Sequence, residues 1–176
     1  LYESDQGLAI AAEKIEKCIA LKPDEASCYL TMGDLFRWEG RYGEADMWYQ
    51  RALAVSPDDP SLWMRRGYNA LEAEDTSQAI QLLEEATERF PEYAHAYYYL
   101  AQAYAETGEV ESAILAIEKL VALEPDDSVW YWVRAGQIYE QANQPEKALE
   151  AYEAALAVDG TNRAARNAVS RLQGNE

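Results

Sequence analysis

Pro23, Pro57, Pro91 and Pro125 lie 34 residues apart at every step, and no other feature constrains this chain's fold as tightly. Ala11, Ala45, Ala79, Ala113 and Ala148 follow at intervals of 34, 34, 34 and 35. Gly33, Gly67, Ala101 and Gly136 follow at 34, 34 and 35. Agreement among three series means one structural unit repeated along the chain, each copy burying its apolar face on the next. Two of the series slip by one in the same copy. Pro125 still keeps register, whereas Trp132 lies 35 residues after Tyr97. The extra residue therefore falls between Pro125 and Trp132, and the loop around Asp126-Asp127-Ser128 is the expected place.

Each repeat reads as two helices. In 26–59, Tyr29, Met32, Gly33 and Phe36 recur at i, i+3, i+4 and i+7, which is one helical face. A break at Glu39-Gly40-Arg41 precedes a second periodic run of Ala45, Trp48, Tyr49, Ala52 and Leu53. Ser56-Pro57-Asp58-Asp59-Pro60 stops that run, because proline lacks the backbone N–H and its ring clashes inside a helix. Asp58 or Asp59 then offers an N-cap acceptor to the next helix. Gly33 or Ala101 in a first helix is expected to face Ala45 or Ala113 in the second. Tyr49, Tyr104, Tyr139 and Tyr152 are expected to fill the space beside them.

The runs Tyr29-x2-Met32-Gly33-x2-Phe36, Trp63-x2-Arg66-Gly67-x2-Ala70, Tyr97-x2-Leu100-Ala101-x2-Tyr104 and Trp132-x2-Ala135-Gly136-x2-Tyr139 resemble the tetratricopeptide repeat (TPR). Their second-helix partners are Ala45-x3-Tyr49, Ala79-x3-Leu83, Ala113-x3-Ile117 and Ala148-x3-Tyr152. The resemblance covers essentially the whole chain and implies an all-α fold, a right-handed α-solenoid of antiparallel helix pairs. The expected divisions are a partial repeat at 1–25, repeats at 26–59, 60–93, 94–128 and 129–160, and a capping helix and tail at 161–176. Leu1-Tyr2 reads as the last turn of a first helix, with a complete second helix from about Gly7 to Leu21. Thr161 is expected to cap the last helix, Asn162 to Leu172, whose apolar stripe is Ala165, Ala168, Val169 and Leu172. These ends read as a start inside a repeat and a native finish.

The 176 residues carry 32 Asp+Glu against 15 Lys+Arg, a formal net charge of −17. Phosphate neutralisation needs clustered cations, so nucleic acid is an unsuitable partner and so is an anionic membrane surface. No apolar run is long enough to suggest a membrane span. The chain opens on Leu1 without a basic-then-apolar leader, and its compartment is not legible. Two cysteines, Cys18 and Cys28, read by default as small core residues, with a bridge between them as the alternative.

Some positions depart from the pattern. Arg66 stands where an apolar residue is usual and Ala70 where an aromatic is usual. The stem of Arg66 is expected to fill what Ala70 leaves, its head reaching water or a carboxylate; contact with a ligand is the alternative. Leu120 replaces Cys18, Ala52, Ala86 and Ala155 of the other copies, so a spread of helices or a smaller neighbour should match it. No catalytic constellation stands out. The single histidine, His95, reads as a surface residue at a helix start. No P-loop, GxGxxG or GxSxG occurs. Asp58-Asp59 and Asp126-Asp127 lack the alternation of a calcium loop and read as helix caps. No cofactor and no metal site is implied.

The TPR resemblance implies a concave groove lined by first-helix residues that takes an extended peptide or a partner's helix. Carried onto this chain, the candidate peptide-binding residues are Arg37, Trp38, Met64, Arg65, Tyr68, Tyr98, Tyr99, Gln102, Trp130, Arg134 and Gln137. Aromatics, Met and Arg are the types enriched at binding hot spots. Arg37, Arg65 and Arg134 suit a carboxylate or an acidic segment; the aromatics could instead simply pack between copies. The family's Lys/Asn/Asn/Lys/Arg clamp for chaperone C-termini is not expected. In one register Leu30, Asp34, Arg65, His95 and Tyr99 occupy its positions, and in the next only Arg134 matches. The expected function is non-catalytic protein or peptide binding. The alternatives are a C-terminal appendage of a larger bacterial enzyme or membrane protein, for example a glycan-handling one, and a self-assembly module dimerising through its N-terminal edge.

Overall fold

The computed structural model describes the backbone of residues 2–125 and 128–174 and the side chains of 10–125 and 128–174. Ten helices and no strand occur among the described residues: α1 (Tyr2–Leu21), α2 (Ala26–Trp38), α3 (Tyr42–Val55), α4 (Pro60–Glu72), α5 (Thr76–Arg89), α6 (Ala94–Thr107), α7 (Val110–Leu123), α8 (Ser128–Gln141), α9 (Pro145–Val158) and α10 (Arg163–Leu172). They fall into two compact units, unit 1 through Arg89 and unit 2 from Phe90. The all-α expectation holds. The described apolar residues gather in several small cores. Ala52, Leu53 and Leu62 form one in unit 1, and Ala101, Ala113, Ile117 and Ile138 belong to another in unit 2.

The turn inside each helix pair is the same four times. Gly40, Glu74, Gly108 and Asn143 sit at φ of 73°, 60°, 80° and 56°, the left-handed region. The following residue, Arg41, Asp75, Glu109 or Gln144, donates its N–H to the carbonyl of Phe36, Ala70, Tyr104 or Tyr139. That is a Schellman closure, which satisfies an orphan carbonyl and reverses the chain. The expected break at Gly40 is therefore a motif that two of the four copies build without glycine. The turns between pairs are also held by side chains. Tyr29 and Trp63, 34 residues apart, donate from the hydroxyl and the indole N–H to the carbonyls of Pro23 and Pro57, each at 2.9 Å. Asp59 caps α4 by accepting from the Ser61 N–H at 2.9 Å.

Several expectations need correction. Gly33, by contrast, has the Tyr49 ring beside it as expected. A Cβ placed on it would lie 2.5 Å from the Tyr49 ring, and one on Gly136 would lie 2.6 Å from the Tyr152 ring. Gly67 meets Leu83 at 2.4 Å in the same way. Glycine there makes room for the large residue four positions after the conserved alanine. Where Ala101 replaces it, Ile117 holds the corresponding position and belongs to the same core. Tyr2–Leu21 is one continuous helix, so no new helix starts at Gly7, a lone glycine being tolerated in a helix interior. Asn162, not Thr161, caps α10, accepting from the Ala165 N–H at 3.0 Å, while Thr161 donates to Asp159.

Cys18 and Cys28 form a disulfide with Cα atoms 5.9 Å apart, joining α1 to α2. This replaces the default reading with its alternative. Cys28 is buried, as that default required. Leu120 is buried, 1% exposed. Ala165 and Ala168 are buried under α10, with Val169 and Leu172 packed beside them. Leu1 and the Asp126-Asp127 pair, on which an end of helix, an insertion and a cap were expected, lie outside the described residues; Ser128 is the first residue of α8.

Candidate functional site

The first-helix residues of unit 1 are committed to one another. Asp34 on α2 accepts from the Tyr49 hydroxyl at 2.7 Å and from Arg65 Nη1 at 2.9 and 3.1 Å. Glu72 on α4 accepts from Arg37 and from the Tyr68 hydroxyl, the latter at 2.7 Å. Arg37 also lies over the Tyr68 ring, 5.0 Å from its centroid. Two guanidinium groups and two carboxylates thus close a neutral cluster that ties α2 to α4. Burial lowers the affinity of Arg37 for its proton, but the hydrogen bond and charge of Glu72 raise it further, so the net shift is upward. Burial, and then the bond to Asp34, pushes the Tyr49 hydroxyl well above its usual value. The Arg37 side chain is only 9% exposed. Arg37 and Arg65, expected to suit a partner's carboxylate, are met here by carboxylates of the chain itself.

Other expected residues in unit 1 divide by exposure. Met64 is buried and offers a partner little surface. Trp38, at the end of α2, is 74% exposed, so it does not pack between copies. Arg66 behaves as the compensation reading requires. Its head donates to Asp46 of α3 at 2.6 and 3.3 Å beside the small Ala70.

Unit 2 is arranged differently. On α8, Trp130, Arg134 and Gln137 follow at i, i+4 and i+7 and share a face. Trp130 is 68% exposed. Arg134 donates to Gln137 at 3.4 Å and forms no ion pair among the described residues. On α6, Tyr98 is 43% exposed and meets Tyr99 edge-on at 5.2 Å. Gln102 donates to Glu106 at 3.1 Å. His95 is exposed at the start of α6 and stacks on Tyr93, as expected of a surface residue.

A cavity of about 420 Å³ opens between α8 and α10, lined in part by Gln137, Glu140, Asn167 and Arg171. Glu140 accepts from the Tyr152 hydroxyl at 2.7 Å and from Arg171 Nη2 at 2.9 and 2.8 Å. Burial alone would raise the Glu140 carboxyl, but these two donors outweigh it and hold it below the ordinary range.

Glu140 and Arg171 were absent from the expected site. A signal for them existed: Asp34 and Arg65 are 31 residues apart, and so are Glu140 and Arg171. Opposite charges at nearly one repeat length mark a contact between successive first helices. No cluster of three or more potential metal ligands occurs among the described residues, and no described helix is long and apolar enough to cross a membrane.

Models of the tetratricopeptide repeat match residues 26–59, 70–135 and 129–162. Among curated proteins, cellulose synthase operon protein C of Escherichia coli K12 is 28% identical over 118 residues, 59% of this chain and 10% of that protein. The TPR repeat-containing thioredoxin TTL4 of Arabidopsis thaliana is 32% identical over 81 residues, 46% of this chain and 12% of that one. The chain thus spans about a tenth of the length of these relatives. Among solved structures, YrrB, described as a TPR protein with an unusual peptide-binding site, superposes with a TM-score of 0.71 at 22% identity, covering 94% of this chain and 85% of that one. MamA gives 0.74 at 21% identity, covering 90% and 92%. Pseudomonas aeruginosa PilF gives 0.75 at 19% identity, covering 99% and 79%. At such identities these structures share the fold alone.

Proposed function

The chain belongs to the tetratricopeptide repeat family, and from that premise we propose that it binds a peptide segment of a partner protein through the first-helix face of unit 2. Proteins of this family are interaction modules for protein or peptide partners. The peptide carries a carboxylate, from a side chain or a C-terminus, beside an apolar or aromatic residue. Arg134 receives the carboxylate, and Gln137 adds a neutral donor. Trp130 and Tyr98 supply the flat apolar surface that makes such residues anchors. The role is non-catalytic and needs no cofactor.

One observation carries the reading. Arg134 has no carboxylate partner among the described residues, next to a Trp130 that is 68% exposed, while Arg37 and Arg65 are already paired. The test is selection of peptides from a random library on the whole chain, followed by affinity measurement. The Trp130→Ala/Arg134→Ala variant should lose the selected peptides, and binding should weaken as salt rises. Peptides that bind this variant as well as the parent would sink the reading.

A second reading, an appendage serving a longer bacterial glycan-handling protein, draws support from the likeness to cellulose synthase operon protein C, of which this chain spans a tenth. It predicts that the chain binds another protein of such an assembly. A chain that binds none of them would count against it.

A further inference from the structure

Between α2 and α3 the 26–59 repeat holds a stacked aromatic group. The Trp48 ring on α3 lies 6.4 Å from Phe36, near-parallel at 13°, and 6.3 Å from Tyr29. The Arg51 guanidinium sits 4.4 Å from the Trp48 centroid and closes the stack. The indole therefore fills a slot walled by two first-helix rings and roofed by a cation.

The 94–128 repeat keeps the walls and lacks the indole. Sixty-eight residues on, Tyr29 becomes Tyr97, Phe36 becomes Tyr104, Met32 becomes Leu100 and Arg51 becomes Lys119, but Trp48 becomes Ala116. A cavity of about 520 Å³ stands there, lined by Tyr97, Leu100, Tyr104, Leu115, Ala116 and Lys119 among others. Its mouth carries Leu115, 63% exposed. The walls are those that hold an indole elsewhere in the same chain.

Charge around the slot narrows the occupant further. Glu118 lines it, and Glu111 lies two turns earlier on α7. Lys119 offsets Glu118 in the lining, and the acidic balance comes from Glu111 and from a chain of net charge −17. A second copy of this chain would be repelled, and a basic segment attracted.

We propose that the vacant slot between α6 and α7 takes a tryptophan side chain of a partner polypeptide, flanked by lysine or arginine. The indole stacks between Tyr97 and Tyr104 beneath Lys119, as Trp48 does between Tyr29 and Phe36 beneath Arg51. The flanking cations meet Glu118 and Glu111. This site is separate from the first-helix face proposed above and prefers the opposite charge.

The test titrates the whole chain with the synthetic peptide Lys-Lys-Trp-Lys-Lys, with its Ala-for-Trp analogue and with N-acetyltryptophanamide, read by calorimetry. One Trp peptide should bind per chain, with the analogue about tenfold or more weaker. N-acetyltryptophanamide should bind the same slot more weakly, for want of the flanking charges. Ala116→Trp fills the slot with the chain's own arrangement and should abolish binding while raising the melting temperature. Should that variant misfold, Leu115→Ser at the exposed mouth carries the test and should weaken binding several-fold. The Trp130→Ala/Arg134→Ala variant should bind the peptide unchanged, which separates this site from the other. Equal binding of the Ala analogue would reduce the effect to bulk charge and overturn the proposal. Retained binding in folded Ala116→Trp would overturn it too, as would a dimer of the parent chain that Ala116→Trp dissolves.

Discussion

Units 1 and 2 build the same helix pair and leave different things unfinished. In unit 1 the cations of the first-helix face are neutralised by Asp34 and Glu72, and the aromatic slot is filled by Trp48. In unit 2 Arg134 has no described carboxylate partner, and the equivalent slot is empty beside Ala116. A repeat position therefore does not reveal whether a residue is available to a partner. Availability depends on what the next copy presents one repeat length away.

The comparison can be broken most forcefully at the disulfide. Cys18→Ser/Cys28→Ser should cost about 2–3 kcal/mol, the chain-entropy value for closing so short a loop. The loss should appear in unit 1, monitored by Trp48 and Trp63 fluorescence, with Trp130 and Trp132 of unit 2 unmoved. Next come the glycines under aromatic rings. Gly33→Ala sets a methyl 2.5 Å from a Tyr49 ring already tethered to Asp34, and should cost about 1–3 kcal/mol in denaturant unfolding. Ala101→Gly, at the same repeat position, relieves no clash and should cost only about 1 kcal/mol, through helix propensity.

The arginines sharpen the contrast. Arg37→Ala leaves Glu72 short of a charged partner and should cost about 1–3 kcal/mol, whereas Arg134→Ala should stay within about 0.5 kcal/mol. A stability cost at Arg134 as large as at Arg37 would erase the distinction between the units. Acid probes unit 2 more gently. Glu140 is held below its ordinary value, so its contribution is complete above the unfolded carboxylate value of about 4.3 and is lost as pH falls through the folded one. The seat of α10 should loosen over that window, and Glu140→Gln should flatten the response in a pH titration followed by NMR. A small gain belongs to Glu74. Its φ of 60° suits glycine, and Glu74→Gly should stabilise the turn by about 0.5–1 kcal/mol in thermal melts.

The helices and their order were legible because a 34-residue period overdetermines them. So was the compensation at Arg66, since the deficit at Ala70 lies one turn away on the same face. That Tyr49 lies beside Gly33 was legible, but how closely was not, because spacing alone does not say how one helix is rotated against the next. Of the candidate site, Trp38, Tyr98 and Trp130 lie exposed. The pairing of Arg37 with Glu72 and of Arg65 with Asp34 is not legible within one repeat, because each pair joins residues of two successive copies. The empty slot was in the sequence throughout, as Trp48 against Ala116, and only the surviving walls give that difference meaning.

The bridge between α1 and α2 also makes the molecule mechanically lopsided. Drawn out by its two ends, a helical array yields piece by piece, and α10 can peel from α9 with nothing covalent to stop it. Between α1 and α2 the segment from Cys18 to Cys28 stays closed under load, hiding about 35 Å of contour. A tether attached there would pull on α1 and α2 as a single bolted piece until a reductant released them.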